Sequence, residues 1–289
     1  TDGGAGDRAP WGATYADIIY ETPLHRNGFT RLSFLFSDLI PDSVGPVRSA
    51  RVGHVDLRQE WDAGFLYYGG QTRKGSNIEE RFREYGVTSR DVQVLFSGIV
   101  GNNRPWKQYY TRVSGVVSPH NVDANVAAMY ELIDPSFTPP NHAFLFTDEL
   151  PATGESAEVI TIDWGAAMYN SRFIYDVDSN QYFRYMLQKD GTEVAYEDKY
   201  TQEQLAFSNL IVQHTTVTWN GSSDAPVTVH IGEGNADIFM GGKYIAGYWK
   251  RADANSRTVF YDAEGNEIAL QRGKTFISII PAETTVSYE

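Results

Sequence analysis

Two apolar, β-branched and aromatic runs open the chain, "YADIIYETP" at 15–23 and "FTRLSFLFSD" at 29–38. They flank "LHRNG", whose Asn27-Gly28 pair predicts a two-strand hairpin. The stretch "GPVRSARVGHVDLRQEWDAG" (45–64) then predicts a helix with Pro46 near its first turn and an imperfect apolar stripe of Val47, Ala50, Val55, Leu57 and Trp61. "FLYYGG" (65–70) predicts a short buried strand ended by two glycines, and "DVQVLFSG" (91–98) a further strand. Between them, "SNIEERFREYG" (76–86) carries a capping box, Ser76 with Glu79, and a closing Gly86. "SPHNVDANVAAMYELI" (118–133) predicts a turn and then a helix that ends before Pro135, with Asn121 as a natural N-cap.

From about residue 143 the helical period nearly vanishes. Strand-like runs follow one another, from "AFLFTDE" (143–149) to "KTFISIIP" (274–281), separated by Gly, Asn or Asp turns. The exception is "TQEQLAFSN" (201–209), which predicts a short helix. The expected fold class is therefore α+β: a linker at 1–11, an N-terminal mixed α/β domain with a central sheet at 12–142, and a C-terminal mainly antiparallel β domain at 143–289.

Composition narrows the chemistry. The formal net charge is −13 and there are no cysteines, so disulfides, thiolate nucleophiles and cysteine-based zinc sites are excluded from the sequence given. The six histidines show no metal-ligand spacing, and no metal or cofactor is expected. Residues 1–140 carry 14 Lys+Arg against 16 Asp+Glu, whereas 141–289 carry 10 against 21. Twelve of the 14 N-terminal cations are arginine, the residue suited to bidentate carboxylate or phosphate contacts. An acidic chain without a basic run is a poor nucleic-acid binder. No window approaches the apolar length of a membrane span, and "TDGGAGDRAPWG" reads as a Gly-rich linker downstream of a removed signal or anchor.

Candidate site residues cluster in the first half. On a helix, Arg48 and Arg51 would share a face near an N-terminus that favours phosphate, sulfate or carboxylate, with Ser49 between them and Arg31 on the nearby strand. Alternatively, the arginines pair internally with Glu21, Asp17 or Asp56. Asp17 and Glu21 fall on one strand face and suit either acid/base work or counter-ion duty. His120 beside Asn121 is a general-base candidate or a turn cap. Tyr68, Gly69 and Gly70 end a strand where a ligand can approach backbone closely. "DVDSN" (176–180) lacks the glycine and glutamate of a calcium loop, having Gln181 and Leu187 there, and predicts a hairpin turn.

"YADIIYETP" with "GFTRLSFLF", "VGPVRSAR", "YYGG", "SPHN", "YDVDSNQYFRYM", "NLIVQ" and the ending "GKTFISIIP" together resemble the bacterial DUF3048 family over roughly residues 12–281. That resemblance implies separate N- and C-terminal domains and an exported protein, lipid-anchored on the outer face of the cytoplasmic membrane. It brings no established activity. The family pattern has a histidine before the Gly-Gly, where this chain has Tyr67-Tyr68, so a mechanism needing that imidazole is not expected. Two functions are weighed. One is an envelope protein binding an anionic glycan, a peptidoglycan fragment or a protein partner at an arginine-lined cleft. The other is a hydrolase or transferase on a cell-wall glycan or phosphodiester, using Glu21, Asp17 and His120. The first is preferred, because no P-loop, nucleophile elbow or zinc-protease pattern is present.

Overall fold

The computed structural model describes residues 9–87, 96–97, 105–166, 169–188, 190–221 and 225–289. It is mostly β. The larger sheet runs, in spatial order, Val259–Asp262, Lys243–Arg251, Gly232–Met240, Asn209–Thr215, Thr275–Pro281, Ile18–His25 and Phe29–Leu35, with Glu155–Ser156 beside Lys243–Arg251. Thr275–Pro281 pairs in parallel with both of its neighbours, and the other pairings are antiparallel. It is buried at every position, Thr275 and Ser278 included, as a strand covered on both faces requires.

The smaller sheet is ordered Glu193–Ala195, Gln181–Leu187, Ser171–Asp176, Val159–Asp163 and Thr285–Tyr288, with Ala206–Phe207 on Gln181–Leu187. Strict in-out burial along Gln181–Leu187 marks a strand with one face on the core. The two sheets enclose Ile19, Leu32, Phe173, Tyr182, Phe239 and Phe276. The opposite face of the larger sheet, with Tyr20, Ile211, Ile238 and Ile277, is covered by Leu57 and Trp61 of a helix and by Phe144. "DVDSN" is a hairpin turn closed by Asp176, which accepts from the Ser179 N–H and hydroxyl.

All three α-helices among the described residues, Val52–Trp61, Ile78–Glu84 and Val126–Tyr130, precede residue 143. The larger sheet is nonetheless shared: its first two strands come from the N-terminal part and the rest from the C-terminal part.

Local corrections concern where helices begin. Residues 45–50 are extended rather than helical, because Val47 N–H donates to Val122 and Ala50 N–H to Gly69. The helix starts only at Val52, with Arg51 as N-cap. Asn121 does not cap a helix; Val122–Ala124 forms a strand first and Asn125 caps through Oδ1. Asn77 rather than Ser76 caps Ile78–Glu84, while Gly86 closes it at φ 71° as expected. Residues 201–209 form a turn and the strand Ala206–Phe207, not a helix. Of "DVQVLFSG", Phe96–Ser97 pairs in parallel with Leu66–Tyr67, and its other positions lie outside the described residues. No helix among the described residues is long and apolar enough to cross a membrane.

Candidate functional site

An arginine-centred knot forms where the extended segment 45–51 passes the strand Phe29–Leu35. Arg31 reaches across and donates to the Ser49 carbonyl at 2.8 Å. Arg51 donates to the same carbonyl at 3.3 Å and to Ala50 at 3.0 Å. Two guanidinium groups therefore meet on one backbone oxygen. Among the described residues Arg51 has no carboxylate partner. Burial, and then the neighbouring Arg48 charge, lower its pKa to about 10.

His54 holds this knot in place. Its Nδ1 accepts the Arg51 N–H at 3.0 Å, which leaves the proton on Nε2, 3.0 Å from the Thr22 hydroxyl. Thr22 in turn donates to the Arg31 carbonyl at 3.4 Å. Burial and the Arg31 and Arg51 charges hold His54 well below the ordinary histidine range, so it stays neutral and keeps this tautomer.

Arg31, Arg48 and His54 line one cavity of about 950 Å³. Ala50, Arg31 and His54 are among its deeply buried lining residues, each 5% exposed or less. Its walls are Phe34, Phe36, Phe65, Ile133, Phe137 and Phe144, and the half-exposed Tyr130 and Phe146 stand at its mouth. Arg51 does not line it and sits behind Ser49.

The other expected ligand residues divide into two groups. Tyr68 N–H donates to the Arg48 carbonyl and the Gly69 carbonyl accepts from Ala50, so both belong to the knot. Gly70 packs closely on Ile78: a Cβ there would lie 2.0 Å from Ile78 Cδ1 and would force that side chain to shift. His120 and Asn121 stand on the neighbouring hairpin. Asn121 accepts from Arg112, whose guanidinium lies 5.8 Å over the Tyr68 ring. Neither His120 nor Asn121 lines the cavity.

The three acid/base candidates are not brought together. Glu21 is fully buried between the sheets and pairs with Arg184 at 2.9 Å. It also accepts from Thr30 at 2.8 Å and Ser171 at 3.0 Å. The Arg184 guanidinium lies between the rings of Tyr196 and Phe276, at 4.1 and 4.8 Å. Asp17 lines the cavity, but its Oδ2 accepts from the Ser37 N–H and hydroxyl, each at 2.8 Å. Sequence reasoning missed His54 and the walls from 133 to 144. The Pro- and Phe-bearing "DPSFTPPNHAF" (134–144) was the available signal, masked by its position at an expected domain boundary.

Two family descriptions match the chain, "Protein of unknown function (DUF3048) N-terminal domain" at residues 3–136 and the C-terminal domain of the same family at 160–277. The chain belongs to the DUF3048 family. A relative described as "Putative lipoprotein YerB" from Bacillus subtilis (strain 168) is 25% identical over 273 residues, covering 93% of this chain and 76% of its own length. The crystal structure of the YerB protein from Bacillus subtilis superposes with a TM-score of 0.74 at 23% identity, over 97% of this chain and 89% of that one. The DUF3048 fold is thus shared at low identity. The arginine knot occupies "GPVRSAR", one of the stretches that carry the family resemblance.

Proposed function

We propose that this DUF3048 protein is an extracytoplasmic, membrane-anchored lipoprotein that binds an anionic ligand at the arginine-lined cavity. The ligand classes are an anionic glycan, a peptidoglycan fragment or an acidic segment of an envelope partner. The description of the Bacillus subtilis relative as a lipoprotein supports the location. The observation that carries the binding reading is that Arg31 and Arg48 both line the cavity, with a third guanidinium, that of Arg51, behind Ser49. Arg51 is satisfied by backbone carbonyls rather than by a carboxylate among the described residues. In a chain of net charge −13, three arginines gathered at and behind one cavity wall are an anion-directed feature. A hydrolase using Glu21 gains no support, since that carboxylate is enclosed by Arg184, Thr30 and Ser171.

The test is thermal unfolding with phosphate, sulfate, sugar phosphates and muropeptides, run on the parent chain, Arg48→Ala and Arg51→Ala. A ligand at about 100 times its dissociation constant adds about 2.7 kcal/mol. A shift lost in variants that remain folded supports the reading. No shift with any anion, together with strong destabilisation of both variants, makes the knot a structural clasp and refutes it.

A further inference from the structure

A second surface lies on the smaller sheet. An antiparallel sheet with one face on a core ordinarily turns polar side chains outward. Gln181–Leu187 reverses this pattern. Tyr182, Arg184 and Met186 point into the molecule, each fully buried, while Phe183, Tyr185 and Leu187 point outward. The register extends the apolar strip across the neighbouring strands, with Phe183 opposite Ile174 and Ile174 opposite Val159. All five outward side chains are half-buried, and none belongs to a buried apolar cluster among the described residues. A contiguous apolar strip left on an outer face marks an interaction surface.

Carboxylates frame the strip. Glu193 lies opposite Leu187, Asp176 lies opposite Gln181 beyond Phe183, and Glu289 exchanges both backbone hydrogen bonds with Val159. Among the described residues the cation on these rows is Arg172, opposite Tyr185, and it is already engaged. It pairs with Glu193 at 2.6 Å and stands 3.9 Å from Glu289. The rim therefore carries negative charge that the face itself does not neutralise, and this charge selects the occupant. A second copy, in a chain of net charge −13, would set the same carboxylates against one another, and an anionic lipid surface would be repelled. We infer that this face docks a cationic partner. That partner is a protein segment whose apolar side chains cover Phe183, Ile174 and Val159 and whose lysines or arginines meet Glu193, Asp176 and Glu289. The surface and the anion-binding cavity share no residue.

The probes are two short synthetic peptides that share one Leu/Phe core, flanked by lysines in the first and by glutamates in the second. Binding to the full chain is titrated by fluorescence anisotropy, and the contact is mapped by methyl NMR. The lysine peptide binds, more weakly as salt rises, and shifts the methyl groups of Val159, Ile174 and Leu187. The glutamate peptide does not bind. Phe183→Ser, at a half-buried outward position, weakens the lysine peptide about tenfold. Glu193→Gln combined with Glu289→Gln slows its association and flattens its salt dependence. Ile174→Thr keeps a β-branched residue in the strand and weakens binding in the same direction, so the test stands even if Phe183→Ser misfolds.

Equal binding of both peptides overturns the charge selection. Methyl shifts spread over other acidic surfaces, or binding unchanged by Phe183→Ser and Ile174→Thr, reduce the effect to attraction between a polycation and an acidic chain and overturn the docking face. Absence of any binding overturns it too. A dimer in sedimentation velocity that Phe183→Ser abolishes assigns the face to a second copy and overturns the cationic partner. Capture by phosphatidylcholine vesicles that Phe183→Ser abolishes assigns it to a bilayer, with the same consequence. The anion panel on Arg48→Ala and Arg51→Ala decides the cavity separately, whichever of these results is obtained.

Discussion

Glu21→Gln keeps the size and much of the hydrogen-bonding reach of the side chain but deletes its charge. The Arg184 guanidinium is then stranded between Tyr196 and Phe276 in the space between the sheets, where both partners of the pair are fully buried. Removing one partner of such a pair costs about 3–5 kcal/mol, because the remaining ion keeps its desolvation penalty and loses its compensation. With about 2.1 cal/mol/K of unfolding entropy per residue, that loss lowers the melting temperature of a chain this long by about 5–8 °C. The double variant Glu21→Leu with Arg184→Met removes both charges and should recover most of the loss. The assay is a double-mutant cycle by urea unfolding at neutral pH, with Arg184→Met completing it. A Glu21→Gln loss below about 1 kcal/mol, or a double variant no better than the single, would refute the claim that a buried charge pair clasps the sheets.

Three further outcomes follow from the packing and titration of buried groups. Gly70→Ala places a Cβ 2.0 Å from Ile78 Cδ1 and should destabilise by about 1–3 kcal/mol in urea unfolding, with Ile78→Ala in the same chain relieving the clash. His230 is lowered to about 3 by burial, then by Arg251 and Arg81, so it is neutral when folded and takes up a proton on unfolding below its ordinary pKa. Its contribution is therefore present above about pH 6.5 and is lost as pH falls toward 3, at about 1.4 kcal/mol per pH unit. In His230→Gln, the slope of stability against pH between 6 and 4.5 should be shallower by that amount. Trp11 is fully buried, stacks on Tyr200 at 5.2 Å and donates to Asp123 at 2.7 Å, so Trp11→Ala should cost about 3–5 kcal/mol in the same assay.

Strands with strong local signals were legible from the chain alone. The Asn27-Gly28 hairpin and the "DVDSN" hairpin form because turn chemistry and side-chain alternation agree. Helix starts were less legible wherever a backbone group had a distant partner. Nothing within "GPVRSAR" announces that Val47 and Ala50 will donate to Val122 and Gly69, yet those bonds keep the segment extended and move the helix start to Val52. The arginines were identified by type, but their geometry was not. They converge through the Ser49 carbonyl rather than along one helix face. Glu21 was visible as a counter-ion candidate, whereas its partner Arg184 lies 163 residues away and pairs by sheet stacking, which no local pattern encodes.

The order of strands in the larger sheet also constrains how the chain matures. Thr275–Pro281, last of its strands in sequence, is inserted between Ile18–His25 and Asn209–Thr215. As the polypeptide emerges from the ribosome, the opening hairpin, complete at Leu35, can close on itself but has no neighbour in this sheet until Thr275, 240 residues further on, has appeared. The sheet thus becomes continuous only once Thr275–Pro281 has been made, so folding is dominated by late, long-range pairing and should be slow for its stability. Until then the Ile18–His25 edge is an open template, and a chaperone that shields it would be needed throughout the interval between the opening hairpin and Thr275–Pro281.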